Sequence, residues 1–174
     1  QRNVLSLHAS VDLLHWRQHP TPLFPTADSV DRGMFSGNCF VNKKGEATML
    51  VHGVGAGNCL FLSTDDNLDR WTRLPSNPIV PNPTGKEPYA SWDPCGWLEG
   101  DTYYALFGGQ PGQNPKPATV FRASRLEGWS YVGPFLHHEM PDVAPNEDIS
   151  CPDFFTLGGK RVLACIAHNR GARY

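Results

Sequence analysis

The stretch Cys59-Leu60-Phe61-Leu62-Ser63 leads through a polar turn to Trp71, and the chain repeats this pattern at two other places. The three copies are residues 4–10 with Trp16, 59–63 with Trp71, and 119–124 with Trp129. The tryptophans lie 55 and 58 residues apart. Strand-rich units that recur every 40–50 residues or slightly more are typical of propeller blades. The sequence therefore predicts an all-β fold, namely a β-propeller of which this chain holds about three blades.

Each repeat also contains a predicted β-hairpin whose turn includes glycine and whose second strand is strongly apolar. The turns are residues 42–45, 98–101 and 157–160. Glycine accepts positive φ without a Cβ clash, and near-continuous apolar strands are typical of the middle of a covered sheet. Aligning the hairpin glycines places Ser36, Ser91 and Ser150 at equivalent positions. We predict one domain over residues 1–174, with blade repeats at about 1–20, 33–75, 89–133 and 147–174.

Composition narrows the class of function. The 17 glycines and 16 prolines among 174 residues suit a chain that turns often. A net charge of −2 without a basic run argues against nucleic-acid binding or attachment to a membrane surface. No apolar stretch approaches the 18 residues that a membrane span requires. The predicted partner is therefore neither a nucleic acid nor a membrane, and no particular oligomeric state is indicated.

Cysteine and histidine spacing does not predict a metal site. The chain has five cysteines without a Cys-x-x-Cys pair, which favours small buried residues on strands, although a disulfide stays open as an alternative. The seven histidines include the adjacent pair His137-His138 but no His-Glu-x-x-His motif. We predict neither a metal ion nor an organic cofactor.

Acidic residues near the predicted first strands suggest sugar chemistry. Asp93 lies in one such strand, and Glu147, Asp148 and Asp153 lie near the start of another. In a propeller the first strands of the blades line a central channel, so these carboxyl groups converge. Paired carboxyl groups carry out glycoside hydrolysis, and aromatic faces such as those of Trp92 and Trp97 bind sugars. Two other interpretations stay open: a turn at Asp93-Pro94 and a solvated loop at Glu147-Asp148.

Four segments resemble glycoside hydrolase family 32, which contains invertases, levanases and inulinases. The segments are His8 to Trp16, Met34-Phe35-Ser36-Gly37-Asn38, Trp92-Asp93-Pro94, and Cys151 to Lys160. The second is similar to the family's Phe-Ser-Gly motif and the third to its Arg-Asp-Pro motif. The fourth is similar to the stretch that follows the family's acid/base Glu in Glu-Cys-Pro-Asp, and it is the most specific of the four.

The resemblance implies a site and a larger protein. It implies that Phe35 and Ser36 contact substrate and that Asp93 holds sugar hydroxyls and stabilises the transition state. Family members have five blades and a β-sandwich, so the chain is expected to be a fragment. The family's nucleophile is an Asp in an Asn-Asp-Pro motif, which residues 1–174 do not contain. We expect it upstream of Gln1.

Two substitutions depart from the family pattern. Trp92 stands where Arg is expected and offers a stacking face instead of polar recognition. Ser150 stands where the acid/base Glu is expected, and a hydroxyl is far too weak an acid for that role. We predict that Glu147 supplies the proton, with Asp148 as the second candidate. The predicted catalytic residues are thus Asp93 and Glu147, and the predicted substrate-binding residues are Phe35, Ser36, Trp92, Asp148 and Cys151.

The leading prediction is a glycosidase that acts on fructosides of the sucrose, levan or inulin type, or on a related furanoside, through a retaining two-carboxylate mechanism. Its partner is an oligo- or polysaccharide substrate. The alternatives are a carbohydrate-binding propeller with impaired catalysis and a furanosidase of another specificity, for example one that acts on an arabinoside. The loss of the acid/base residue at Ser150 is the main support for impaired catalysis, since it lowers the rate but leaves binding surfaces intact.

Overall fold

The computed structural model describes residues 6–25, 31–109, 117–136, 147–168 and 170–174. These residues form antiparallel sheets and no helix, so none of them builds a helix able to cross a membrane. The pair His137-His138 lies outside the described residues. Several of the strands are joined by tight turns, as the many glycines and prolines of the sequence predict.

The described strands form four sheets in chain order. The first sheet has β1 (His8–Ala9) and β2 (Arg17–Gln18). The second has β3 (Met34–Val41), β4 (Ala47–Gly53), β5 (Gly57–Ser63), β6 (Trp71–Arg73) and β7 (Val80–Pro81). The third has β8 (Trp92–Glu99), β9 (Thr102–Gly108), β10 (Thr119–Ala123) and β11 (Ser130–Pro134). The fourth has β12 (Ser150–Leu157), β13 (Lys160–Ala167) and β14 (Gly171–Arg173).

Successive strands within each sheet are hydrogen-bonded neighbours, except that β7 pairs with β5, and this order is the meander of a propeller blade. The first strands of three sheets, β3, β8 and β12, contact one another. Asn38 on β3 joins two of them, because its side chain donates to the Gly96 carbonyl at 2.9 Å and accepts from the Gly96 amide at 2.7 Å. The predicted β-propeller is confirmed, with its first strands gathered on one side of the sheets. The exact blade bounds stay a prediction.

Apolar side chains between sheets form the core. Leu50 and Leu60 of the second sheet pack with Phe107 and Phe121 of the third, and all four are buried. A separate cluster that includes Leu106 and Cys165 joins the third sheet to the fourth. Full burial of each large apolar side chain contributes about 1.5–3 kcal/mol. Packing between consecutive sheets therefore fixes the relative positions of the first strands β3, β8 and β12 and of the side chains on them.

The hairpin turns are confirmed, but the alignment based on their glycines is wrong. The turn between β3 and β4 has five residues, whereas those between β8 and β9 and between β12 and β13 have two. Strand pairing makes Met34, Trp92 and Ser150 equivalent, since each opens its strand opposite the same position of the next strand. The predicted equivalence of Ser36, Ser91 and Ser150 fails because glycine occupies a different place in the longer turn.

The repeated tryptophans close the turns that precede them. Their indole Nε1 groups donate to the carbonyl three residues earlier: Trp16 to Leu13 at 3.3 Å, Trp71 to Leu68 at 3.0 Å, and Trp129 to Leu126 at 2.8 Å. Trp71 and Trp129 also pack against buried apolar clusters. Trp16 does not, since it is 58% exposed. The repeat thus reflects a local turn contact as well as packing between blades.

All five cysteines lie on strands as free thiols, three of them buried, Cys59, Cys95 and Cys165. The prediction of burial is wrong for Cys39 and Cys151, which are exposed. Cys39 lies on β3 and Cys151 on β12. Cys151 belongs to the group of residues at the start of the first strands that form the candidate site.

Candidate active site

Three β-bulges carry the predicted site residues. The pairing register shifts between Met34 and Gly37 on β3, between Trp92 and Pro94 on β8, and between Ser150 and Asp153 on β12. The residues within these shifts include Phe35, Ser36, Asp93 and Cys151. A bulge leaves residues out of the hydrogen-bonded ladder and redirects their side chains, which is why bulges are common beside active sites. Because the three strands adjoin, their bulges meet.

Asp93 lies where the three bulges meet. Its Oδ2 atom accepts hydrogen bonds from the Ser150 hydroxyl at 2.7 Å and from the Cys151 backbone N–H at 3.1 Å. The Cys151 thiol lies 3.6 Å from the same oxygen. Asp93 lies inside β8, so the alternative of a simple turn at Asp93-Pro94 is wrong. Donors from the fourth sheet therefore hold a carboxylate of the third sheet in one orientation.

Cys151 links the second and fourth sheets to this centre. Its φ of 46° lies in the left-handed region, which costs a residue with a Cβ about 1–2 kcal/mol. This backbone conformation accompanies the bulge and directs the Cys151 N–H to Asp93. The Ser36 hydroxyl lies 3.4 Å from the Cys151 thiol. Ser36 and Cys151, both predicted as substrate-binding residues, thus lie beside Asp93.

Three rings stack along one side of the site. The His52 ring lies between Phe35, at a centroid distance of 6.3 Å, and Trp92, at 5.4 Å. Phe35 is 38% exposed and Trp92 is 41% exposed, whereas His52 is buried. Burial lowers the pKa of His52, although a hydrogen bond with Asn58 opposes this effect. The buried neutral ring therefore supports two exposed aromatic faces of the kind that bind the apolar face of a sugar.

A cavity of about 250 Å³ opens beside Asp93. The described residues that line it are Trp92, Asp93, Gly109, Ser150 and His168. It combines one carboxylate, one aromatic face, one hydroxyl and one imidazole. This mixture of an apolar wall and a few convergent polar groups is typical of a small-molecule site.

Glu147 and Asp148 lie close to the site but face other residues. The Glu147 side chain is 6% exposed, and Arg173 Nε lies 2.5 Å from its Oε1 atom. The Asp148 side chain is 2% exposed and binds His168. A solvated loop at this position, the alternative interpretation, is therefore wrong. Neither carboxyl group is among the described residues that line the cavity, and the predicted roles of Glu147 and Asp148 stay predictions.

Asp153 and Trp97, which the sequence also placed near the site, lie elsewhere. Asp153 is exposed on β12 beyond the bulge. Trp97 packs against Phe154 at a centroid distance of 5.0 Å and against Tyr104 at 5.5 Å. Trp97 therefore belongs to the packing between the third and fourth sheets rather than to a sugar-binding face.

Sequence reasoning missed His168 and His52. His168 follows the last residue of β13, and His52 lies near the end of β4. Neither is part of a recognisable motif. A signal was nevertheless available, because the end of a second strand lies opposite the start of the first strand in an antiparallel hairpin. Polar residues at the ends of β4 and β13 are thus brought to the edge where the bulges lie.

The described part of the chain contains no group of three His, Cys, Asp or Glu side chains arranged to hold a metal ion. The polar groups around the cavity instead pair with one another. Ser150 and Cys151 bind Asp93, and Asp148 binds His168. The arrangement suits hydrogen bonding to hydroxyl groups and transfer of protons.

The chain is similar to known proteins in sequence and in fold. The family model described as "Glycosyl hydrolases family 32 N-terminal domain" matches residues 6–173. Sucrose-6-phosphate hydrolases from Klebsiella pneumoniae and Salmonella typhimurium are 30% and 27% identical over 168 residues. Each alignment covers 90% of this chain and 34% of the relative.

A solved structure, fructan 1-exohydrolase IIa from Cichorium intybus, matches with a TM-score of 0.73 at 20% identity. The match covers 95% of this chain and 34% of that one, and at this identity it shows the fold alone. The chain spans about a third of the length of the curated relatives that it matches. Because the family model covers residues 6–173 of 174, the chain belongs to glycosyl hydrolase family 32.

Proposed function

We propose that the protein containing this chain hydrolyses fructosides of the sucrose, levan or inulin type, or a related furanoside. The observation that carries the proposal is the Asp93 carboxylate, fixed by Ser150 and Cys151 and open to a cavity beside Trp92. The names of the relatives from Klebsiella pneumoniae and Salmonella typhimurium, both sucrose-6-phosphate hydrolases, support the same class of substrate.

Asp93 is suited to hold the hydroxyl groups of a sugar. An ionised carboxylate has two oxygens and about four acceptor positions. The bonds from Ser150 and Cys151 go to Oδ2, which leaves capacity on the carboxylate for substrate hydroxyls. Such bonds strengthen as positive charge develops on the sugar ring in the oxocarbenium-like transition state. Asp93 would therefore bind the transition state more tightly than the ground state.

The retaining mechanism also needs a nucleophile and a proton donor about 5–5.5 Å apart. The family resemblance assigns the nucleophile to an Asp in an Asn-Asp-Pro motif. Glu147 is the proton donor that the sequence favours. Its Oε1 atom is paired with Arg173 Nε, and Glu147 is not among the described residues that line the cavity, which is a difficulty for that assignment.

A carbohydrate-binding propeller without catalysis is the second candidate, and Ser150 is the observation that favours it. The Ser150 hydroxyl, at the family's acid/base position, donates to Asp93 at 2.7 Å. Replacing an acid by a hydroxyl removes proton donation at this position while the aromatic faces of Phe35 and Trp92 stay exposed. Binding of sugar without cleavage is the expected behaviour of such a protein.

Incubation of the full-length protein with sucrose, inulin and levan separates the two candidates. Release of fructose is the result expected of the hydrolase. Calorimetric binding to the same sugars without release would establish the binding protein instead. An arabinofuranoside in the same assay tests the other furanoside specificity. Release of arabinose but not of fructose would show that the substrate is an arabinofuranoside rather than a fructoside.

Replacing Trp92 by Ala is expected to raise the KM for the cleaved sugar about tenfold, with a smaller change in kcat. The exposed indole face contributes stacking worth about 0.5–1.5 kcal/mol, and 1.4 kcal/mol is a factor of ten. The measurement is steady-state kinetics of fructose release. Trp16→Ala is the matched control, because Trp16 is also exposed but lies on the turn of the first sheet. Equal KM values for W92A and the parent protein would show that Trp92 does not contribute to binding of the sugar.

A further inference from the structure

We propose that His168, positioned by Asp148, gives and takes the proton that the carboxyl group absent at position 150 would otherwise transfer. This inference rests on the proposed function, since it assigns a residue to that reaction. His168 is the titratable group other than Asp93 among the described residues that line the cavity. The Ser150 hydroxyl in the same cavity is too weak an acid for the role.

The contact between Asp148 and His168 fixes the imidazole. Oδ2 of Asp148 lies 2.7 Å from His168 Nδ1, and Oδ1 accepts the His168 backbone N–H at 2.9 Å. Both oxygens of one buried carboxylate therefore bind the same residue. A carboxylate can only accept, so Nδ1 carries a hydrogen. A buried Asp that orients a histidine in this way also stabilises the imidazolium form, as in the catalytic triad of serine proteases.

This orientation leaves Nε2, the other ring nitrogen of His168, available for proton transfer. Nε2 lies on the side of the ring away from Nδ1 and Asp148. The His168 side chain is 62% exposed, while that of Asp148 is 2% exposed. Asp148 is thus the buried positioning residue, and His168 is the accessible group at the cavity. This division accounts for Asp148, which the sequence predicted as a site residue although it does not line the cavity.

The surrounding charges favour a protonated ring. Hydrogen bonding to Asp148 and its negative charge raise the pKa of His168 above 6.5, and the charge of Asp93 on β8 acts in the same direction. Glu147 and Arg173, on the neighbouring elements, pair with each other. Arg170 follows in the turn before β14 and is exposed. The raised pKa therefore favours the imidazolium that a proton donor requires over the neutral ring.

The proposed proton transfers balance over the two steps. In the first, the carboxylate nucleophile bonds to the anomeric carbon as its bond to the leaving oxygen breaks, and the Nε2 proton of the imidazolium goes to that oxygen. In the second, neutral Nε2 takes a proton from water as the water oxygen bonds to the anomeric carbon and the glycosyl ester breaks. The nucleophile is again a carboxylate and His168 is again an imidazolium.

The test compares the full-length parent protein with His168→Asn and Glu147→Gln on two substrates. Asn keeps a side-chain donor that can reach Asp148 but has no titratable ring. We expect H168N to lower kcat on sucrose about a hundredfold, within the range of general acid catalysis. An aryl fructoside with a 4-nitrophenol leaving group needs little protonation in the first step, so kcat/KM for its cleavage, which reports that step, should fall less than tenfold. E147Q tests the competing assignment, and under this proposal it should lower kcat on sucrose less than H168N does.

The pH profile gives a second readout. In the parent protein, kcat/KM on sucrose should fall as the pH rises through the raised pKa of His168. In H168N this fall of kcat/KM should be absent. An imidazole NMR titration follows the same group without catalysis. Its midpoint should lie above 6.5 and should move down in Asp148→Asn, which a merely structural Asp148 would not cause.

Each outcome separates the hypotheses. Unchanged sucrose turnover in H168N, with an active parent protein, overturns the role of His168 but not the hydrolase. A large loss in E147Q with a small loss in H168N assigns the proton to Glu147. If the parent protein cleaves neither substrate, the hydrolase assignment and the role of His168 fail together. If H168N misfolds, which loss of aryl fructoside cleavage and altered circular dichroism would reveal, His168→Gln provides the same comparison.

Discussion

Replacing Asp93 by Asn is expected to lower kcat for fructoside cleavage about a thousandfold. The substitution preserves size and leaves an amide oxygen able to accept from Ser150 or Cys151, so the bulge should survive. It removes the negative charge that stabilises the developing positive charge on the sugar ring. Hydrogen bonds of this kind supply several kcal/mol in glycosidases, and about 4 kcal/mol corresponds to a factor of a thousand. Steady-state kinetics of fructose release measures the effect.

A matched variant controls for loss of one carboxylate. Asp101 lies exposed in the hairpin turn between β8 and β9, at the other end of the strand that carries Asp93. Asp101→Asn should leave kcat and KM unchanged. A D93N protein whose kcat stays within tenfold of the parent value would contradict the assignment of Asp93 to the transition state.

Replacing Gly37 by Ala is expected to lower the free energy of unfolding by more than about 3 kcal/mol. Gly37 follows the bulge residues of β3 and faces the backbone of β4. A Cβ atom here would lie 2.0 Å from the Leu50 carbonyl oxygen and 2.7 Å from Val51 Cα. Backbone atoms of a paired strand cannot move aside as the end of a flexible side chain can, and overpacking alone costs about 1–3 kcal/mol. Urea-induced unfolding of the full-length protein is the measurement.

Gly45→Ala is the control for this substitution. Gly45 lies in the turn between β3 and β4 with a φ of 79°, and no atom lies within 4 Å of a Cβ placed there. The cost of that variant is therefore backbone strain alone, about 1–2 kcal/mol. If G37A unfolds at the same urea concentration as G45A, the close approach of β3 to β4 does not explain the glycine of the Phe-Ser-Gly segment.

Local sequence signals identified the elements of the fold. Near-continuous apolar runs, glycine turns and the Trp repeat predicted strands and hairpins, because they depend on neighbours a few residues away. The motifs around Phe35, Asp93 and Cys151 were recognisable for the same reason, since each lies within one short strand. The alignment of Ser36, Ser91 and Ser150 failed, because glycine spacing does not reveal how many residues a turn contains.

Such local signals do not predict which side chains of distant strands pair with one another. Arg173 on β14 pairs with Glu147, and His168 at the end of β13 pairs with Asp148, although each pair is separated by 20 or more residues. The sequence offered Glu147 and Asp148 as two similar carboxyl groups near Ser150. Their different partners follow from how β13 and β14 fold back against the start of β12.

The amino-acid order alone determined the strands, the turns, the propeller class and the three short segments that converge. Those features are set by backbone preference and by the periodicity of apolar residues. Tertiary structure decided which charged groups reach the cavity. Asp93 is left out of the ladder by a bulge and faces the fourth sheet, whereas Glu147 is buried against Arg173. The chemistry of a carboxyl group depends on its neighbours in space, and here those neighbours come from other strands.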